Sequence, residues 1–444
     1  MNELPAGWAR ATLEELTGLG GLVSDGDWIE SKDQDPNGTI RLIQLMDIGD
    51  RVFLNRSQRF VNAETAARLR CTLLNKGDVL VARMPDPLGR ACVFPGVGQQ
   101  AITAVDVLIW RSGESGADAE WLMHAINSPA IRETIALQAG GTTRQRIAGG
   151  RLKALPLPVP PCAEQRRIVA KLDTLTARTA RARAELERVP VLAGRQRRAL
   201  VAALISRYRD APRKPFGSLL ISAQNGLSKR VGDAGRPTNV LRLADLEDGK
   251  FVGTSPRAIN LDAHEQQKYA LDRGDIVCIR VNGSERLVGR FLVWDAERWA
   301  FCDHFIRFKV DRAQADPRYV ALYFGTDEVR AQIEVAFVSS AGQKTVSQGT
   351  LGRILVPLPS LEVQEAIVAT VDKAFVEIDR LLAEAGSATR LLDRLDQAIL
   401  AKAFRGELVP QDPADEPASM LLDRIRAERA GATGARRGRR PRAA

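Results

Sequence analysis

Cysteine is scarce in this chain and forms no pattern. The five residues, Cys71, Cys92, Cys162, Cys278 and Cys302, are an odd number without a C-x-x-C pair. That excludes a disulfide framework and a zinc ribbon, and reads as small buried residues. Histidine is scarcer still, with only His124, His264 and His304. Cys302 and His304 stand one residue apart, but no further ligand lies nearby in sequence, so no metal site is expected. No apolar run approaches the roughly 18–20 residues that a membrane span needs, and no basic-then-apolar segment opens the chain. A cytoplasmic protein without a membrane partner is expected. Short catalytic motifs are missing too: there is no DPPY or NPPF tetrapeptide, no Walker A loop and no H-E-x-x-H. Gly342-Gln343-Lys344-Thr345 lacks the leading glycine of a phosphate loop, and Gly18-Leu19-Gly20-Gly21 follows a helical stretch rather than a strand. Asp248-Gly249-Lys250 supplies the D-x-K half of a nuclease triad without its upstream carboxylate, and reads as a turn. No catalytic residue is assigned.

What is present points to size and duplication. At 444 residues and 45% apolar content, the chain should fold as two or three domains. Its net charge of +10 is unevenly placed: −3 over residues 1–150, +8 over 151–206, +4 over 207–350, −6 over 351–423 and +7 over 424–444. Much of the excess therefore sits in a Gly/Pro/Arg-rich tail, residues 431–444, expected to be disordered. Overall charge alone says little about partners.

The decisive feature is a repeat. PLPVPPCAEQRRIVAKLD at 156–173 returns 199 residues later as LVPLPSLEVQEAIVATVD at 355–372, with seven of eighteen positions identical. Past the prolines, Ile168, Leu172, Leu175, Thr179, Ala182, Leu186 and Val189 step by four and three. So do Ile367, Val371, Ala374, Ile378, Leu381, Ala385 and Ala388. This is a heptad seam written twice. Pro190 and Gly386 are expected to kink or turn each helix before it resumes to about 206 and 405. Segment 162–206 carries +6 and segment 361–405 carries −2, which favours pairing the two copies with each other as an intramolecular coiled coil. Core helices of ordinary domains are the plainer alternative.

The stretches before the helices repeat more faintly. LLNKGDVLVAR at 73–83 matches ALDRGDIVCIR at 270–280, each followed by a Gly-Arg pair, at Gly89-Arg90 and Gly289-Arg290. WLMHAINSPAIR at 121–132 parallels YVALYFGTDEVR at 319–330, and Gly/Thr/Gln-rich loops follow at 140–150 and 339–349. The predicted fold class is α+β: two mixed α/β globes, residues 1–150 and 207–350, separated by long antiparallel coiled-coil helices, 151–206 and 351–405, with a pseudo-twofold internal repeat. A docking segment, 406–430, precedes the tail. Its Leu421, Leu422 and Ile425 form an apolar stripe that could meet a partner or the opening LPAGW.

With LPAGW at 4–8, both Gly-Asp motifs, both proline turns leading to Gln165 and Gln364, and FRGELVPQDPADEPASMLLDRIRAER at 404–429, the chain resembles the specificity subunit of a type I restriction–modification enzyme. The resemblance covers nearly all of the chain. Glu164 becomes Val363 in the second copy, and the first loop reads TTRQR; these are its departures. It implies two target recognition domains, each reading half of a bipartite site in double-stranded DNA. The helices would space them and dock two methylation subunits, which restriction/motor subunits join. No cofactor is expected on this chain; S-adenosylmethionine, ATP and Mg2+ would act through the other subunits.

Paired hydrogen bonds read bases, chiefly from Arg or Lys to guanine and from Asn or Gln to adenine. The loop residues of that kind are Arg144, Gln145 and Arg146, then Lys229, Arg230, Asn282, Gln343 and Lys344. Arg83, Arg90, Arg280 and Arg290 stand at repeated places and better suit phosphate contacts. Ile168, Leu172, Leu175, Leu186, Ile367, Val371, Ile378 and Leu381 are the expected helix and subunit interface. Two other classes of function stay open on the residues alone: a self-contained DNA-modifying or DNA-cleaving enzyme, and a coiled-coil scaffold with no DNA role.

Overall fold

The computed structural model describes residues 3–437 apart from 86, 142–143, 233–234, 248–249, 254–255 and 341. Asp248 and Gly249 of the D-x-K stretch, Thr142 and Thr143 of the first loop, and the tail past Arg437 lie outside the described residues. The fold mixes helix and sheet in two compact units, Met1–Glu185 with Ala388–Ala444, and Leu186–Ser387. Two long helices, Cys162–Ser206 and Leu361–Ala403, each give one stretch to each unit.

In the first unit a short antiparallel ribbon, Ala9–Ala11 against Leu157–Val159, closes the neck of a head running from residue 12 to 156. Pro158 is tolerated because this two-stranded ribbon consists only of edges. The head holds a four-stranded sheet in the order Leu22–Asp25, Val107–Arg111, Val79–Ala82, Ala91–Val93, and a three-stranded one, Arg59–Val61, Ile40–Ile43, Ala101–Thr103. The Gly-Asp motif starts the central strand. Gly77 takes a φ of 95°, where a side chain is strained, and the buried Asp78 accepts from the Asn75 N–H at 2.7 Å. Val79 to Ala82 can then be apolar on both faces, because the strand is covered on both. Gly89 has a φ of 77°, and a β-carbon there would come within 2.8 Å of Ile135.

The second unit repeats this plan. Arg213–Pro215 pairs with Leu355–Pro357 around a head of residues 216–354. Its sheets run Leu220–Asn225, Phe305–Val310, Ile276–Ile279, Phe291–Val293, and Ala258–Leu261, Arg236–Leu241, Ala300–Phe301. Gly274-Asp275 and Gly289 do the work of Gly77-Asp78 and Gly89. The stretches read as one short helix are two in each unit: Ala119–Ile126 with Pro129–Gln138, and Pro317–Phe324 with Asp327–Val335. The backbone turns extended at Ser128 and Thr326, which ends one helix and starts the next, and Pro129 occupies the first position of the second helix in the first unit.

The repeated glutamine fastens each head to its long helix. Gln165 accepts from the Asp118 N–H at 3.2 Å and donates to the Pro160 carbonyl at 3.0 Å. Gln364 accepts from the Asp316 N–H and donates to the Pro359 carbonyl, both at 2.9 Å. Both glutamines are buried. Replacing either with methionine leaves a buried N–H and a buried C=O unpaired, at about 1–3 kcal/mol each. Q165M and Q364M are each expected to lower the melting temperature of the unit concerned by roughly 5–15 °C in calorimetry; unchanged melting would contradict this role.

Glu164 differs from Val363 for a local reason. The Trp8 indole N–H donates to Glu164 Oε2 at 3.0 Å, and the opening segment carrying Trp8 belongs to the first unit. There the chain's own ends meet. The Ala418 N–H donates to the Gly7 carbonyl at 2.8 Å, Arg167 pairs with Asp415 at 2.5 Å, and Leu421, Leu422 and Ile425 are buried. The C-terminal helix, Ala418–Arg437, runs past residue 430 into the stretch expected to be disordered; Ala427, Ala430 and Ala432 are strong helix formers.

Within each unit the long helices pack side by side with opposed directions. In the first, Thr179 donates to Asp396 at 2.8 Å and Arg183 pairs with Asp393 at 2.7 Å. In the second, Arg197 pairs with Asp379 at 2.5 Å and lies 5.0 Å over the Phe375 ring. The charges fall as the segment totals suggested, arginine on the first helix and aspartate on the second, but exposed pairs are worth only about 0.2–1 kcal/mol each. The apolar seam carries more. Ile168, Leu172, Ile367, Val371 and Ile378 are buried, and Leu175 and Leu186 half-buried. Leu381 departs from the expected helix seam: it is 56% exposed, and its neighbour Leu382 turns inward. Ala182 is likewise outside, with Arg183 half-buried in its place. Neither Pro190 nor Gly386 breaks its helix. One heptad along each helix from Arg197–Asp379, in opposite directions, brings Pro190 level with Gly386, and Pro190 is exposed there, so its ring needs no room in the seam. Packing on both sides outweighs the hydrogen bond that proline withholds from Leu186.

Candidate nucleic-acid interface

In both units one end of the four-stranded sheet gathers the same four segments. In the first unit these are the residues after Asp25, those after Ala82, those before Val107, and the loop 140–149. Arg83 ties them together: its Nε donates to the Ile147 carbonyl at 3.2 Å, its Nη1 to the Val105 carbonyl at 3.1 Å, and Asp25 lies 3.0 Å away. In the second unit the Arg280 N–H donates to the His304 carbonyl at 2.7 Å, and its carbonyl accepts from the Val346 N–H at 3.1 Å.

The framework repeats and the loops on it do not. In the first unit the loop is held by an isolated bridge, Gly140 to Arg146. In the second it is a hairpin, Val338–Ser340 with Gln343–Thr345, laid on Val281–Asn282.

The candidate residues fall at this end but divide by environment. Arg144, Gln145 and Gln343 are exposed, and among the described residues their side chains hold no partner. Arg146 faces Asp106 at 3.2 Å, Lys344 faces Glu285 at 3.0 Å, Lys229 faces Glu265 at 3.1 Å and Arg230 faces Asp303 at 2.8 Å. Each of these four cations is engaged by a carboxylate of the same unit. Asn282 accepts from the Ser284 N–H and shapes its own turn. Arg280 and Arg290 are half-buried.

Arg83 and Arg90 are corrected outright. They are 5% and 7% exposed, and Arg90 spends its guanidinium on the carbonyls of Ile48, Pro87 and Leu45. Burial also lowers the Arg83 pKa, with Asp25 opposing. Both are clamps that hold loops to the sheet, with no surface left for a phosphate.

The sequence offered less notice of three other residues at this end. Trp28, 67% exposed beyond Asp25, is the one tryptophan of six on the surface. Arg242 and Arg257 edge a cavity described below.

Nucleophilic and metal chemistry find little support. Burial raises the thiol pKa of Cys71 to about 11 and of Cys92 to about 12, and raises those of Cys278 and Cys302 too. Burial, then Arg51, pushes His124 down to about 4. Cys302, Asp303 and His304 bring donor atoms within 4.8 Å of one another. The Arg230 guanidinium already occupies Asp303, however, so a bound cation would meet a cation.

Residues 5–189 match the family described as the type I restriction modification DNA specificity domain. The type I restriction enzyme StySPI specificity subunit of Salmonella potsdam is 34% identical over 341 residues, covering 72% of this chain and 74% of that one. The chain belongs to the specificity subunits of type I restriction enzymes. Two solved structures agree in fold. One, from work on complex assembly and conformational transition of the type I R-M system, is 20% identical with a TM-score of 0.66, covering 92% of this chain and 100% of that one. The other, the HsdS subunit of Thermoanaerobacter tengcongensis, is 20% identical with a TM-score of 0.54, covering 92% and 99%. In this family member the repeated frame is the scaffold, and the unlike loops at the sheet ends are what distinguishes its two halves.

Proposed function

We propose that this chain is the DNA-recognition and assembly subunit of a type I restriction–modification complex. The head of residues 12–156 reads one half of a bipartite target, and the head of residues 216–354 reads the other. The observation that carries this is the contrast at the sheet ends: two copies of one frame, fastened by the same glutamine, bear loops of different sequence and structure. One frame with two different faces suits one protein reading two different half-sites.

The long helices form an antiparallel coiled coil with a pseudo-twofold repeat and set the distance between the half-sites. Helices of 45 and 43 residues are about 65 Å long at roughly 1.5 Å per residue, ample to span the roughly 34 Å of one DNA turn. Outward-facing Val376, Leu381, Leu391 and Leu395 give the methylation subunits apolar surface to dock on. Catalysis belongs to partners: two methylation subunits using S-adenosylmethionine, and restriction/motor subunits using ATP and Mg2+. The raised thiol pKa values support a noncatalytic chain. No helix among the described residues is long and apolar enough to cross a membrane, in keeping with a place in the cytoplasm beside the DNA.

The test is reconstitution. Purified chain with DNA, Mg2+ and S-adenosylmethionine should transfer no methyl group, and adding the methylation subunit should start transfer at a bipartite sequence. Methylation or cleavage by the chain alone would favour the self-contained enzyme.

A further inference from the structure

Beside the recognition end of the second unit lies a cavity of about 300 Å3 whose lining includes Lys229, Arg230, Arg242, Arg257 and His304. That is the lower end of the size range of ligand pockets. Three of these cations are compensated: Lys229 by Glu265 at 3.1 Å, Arg230 by Asp303 at 2.8 Å, and Arg242 by the buried Asp245 at 2.9 Å. Arg257 is not. Its Nη2 donates to the Arg230 carbonyl at 2.9 Å, which aims the guanidinium without neutralising it, and no carboxylate among the described residues pairs with it. His304 turns Nδ1 toward Asp303 at 3.3 Å and the Cys302 thiol at 3.5 Å, leaving Nε2 as its other polar atom. Val240 and Ile259 add apolar wall.

A concave site with one uncompensated, oriented guanidinium and an apolar flank fits an anion that carries carbon with it. In a stacked duplex the base edges lie on the groove floor, whereas the backbone projects and can reach a concavity. We propose that this cavity takes one phosphodiester group of the DNA strand bound by the second unit. Arg257 donates to its oxygens, His304 assists, and the deoxyribose rests against Val240 and Ile259. This rests on the DNA-recognition reading above and adds to it a positioning contact that carries no sequence information.

The experiment compares the full chain, with its methylation subunits, as parent, Arg257→Gln and Arg257→Lys, on a target duplex and an unrelated duplex between 50 and 200 mM salt. Arg257 is exposed, so both variants should melt with the parent. Arg257→Gln should weaken both duplexes by the same factor and reduce the slope of log affinity against log salt by about 1, while Arg257→Lys keeps the parent slope. An unchanged affinity and slope for Arg257→Gln overturns the proposal. So does an unchanged slope with altered base preference, which would make Arg257 a base reader. A parent complex that binds neither duplex overturns the DNA-recognition reading itself.

Discussion

Replacing residues 12–156 with the same segment of another specificity subunit should change the bases required at one half of the DNA target and leave the other half as it was. The cut points follow from the neck. Ala9–Ala11 pairs with Leu157–Val159, so an exchange inside that ribbon keeps its backbone bonds and leaves Gln165 its Pro160 acceptor. Asp118, whose N–H also bonds Gln165, lies in the exchanged segment, so the incoming head must offer an equivalent amide. The residues proposed to face DNA from the first unit, Trp28 and the loop carrying Arg144, Gln145 and Arg146, travel with the exchange. Each mismatched base pair costs about 1–3 kcal/mol, so the original target should bind roughly a hundredfold or more weakly. Methylation mapping reads both halves at once. A change in both halves, or in neither, would contradict independent heads.

The second large effect concerns distance. Inserting matched heptads into both long helices at the level of Pro190 and Gly386 preserves the seam and lengthens the spacer. Three heptads add about 31 Å at 1.5 Å per residue, close to one turn of DNA, so the half-sites should move apart by about nine base pairs and face the protein as before. A single heptad adds about 10 Å, or roughly three base pairs, which rotates one half-site away by about 100°. It should bind the natural target poorly. If the single-heptad variant kept the natural gap at full affinity, the helices would not be setting it.

Much of this architecture was legible in the sequence, and particular residues show why the rest was not. The repeat exposed the helices because a seam has a period that survives substitution. Leu381 and Leu382 defeated that method: both are leucine, and a step of three or four from Ile378 is equally regular, so only packing chooses between them. Pro190 and Gly386 are breakers by propensity, yet each lies inside a continuous helix whose seam residues hold helical structure on both sides. Arg83 and Arg90 recur as Arg280 and Arg290, which residue type alone reads as a shared phosphate contact; burial decides against it in the first unit, where both guanidiniums are spent on loop carbonyls. At the candidate interface, Lys229 and Arg230 find their carboxylates 36 and 73 residues away, beyond any local pattern. The exposed Arg144, Gln145 and Gln343 could be named from residue type and loop position alone, since nothing else in the fold competes for them.

Hydroxyl-radical footprinting of the chain with its methylation subunits on a target duplex tests most directly whether two heads on paired helices read one DNA. Two protected patches with centres about one helical turn apart, roughly 34 Å, are predicted. A single continuous patch, or no protection on the target beyond that on unrelated DNA, would contradict it.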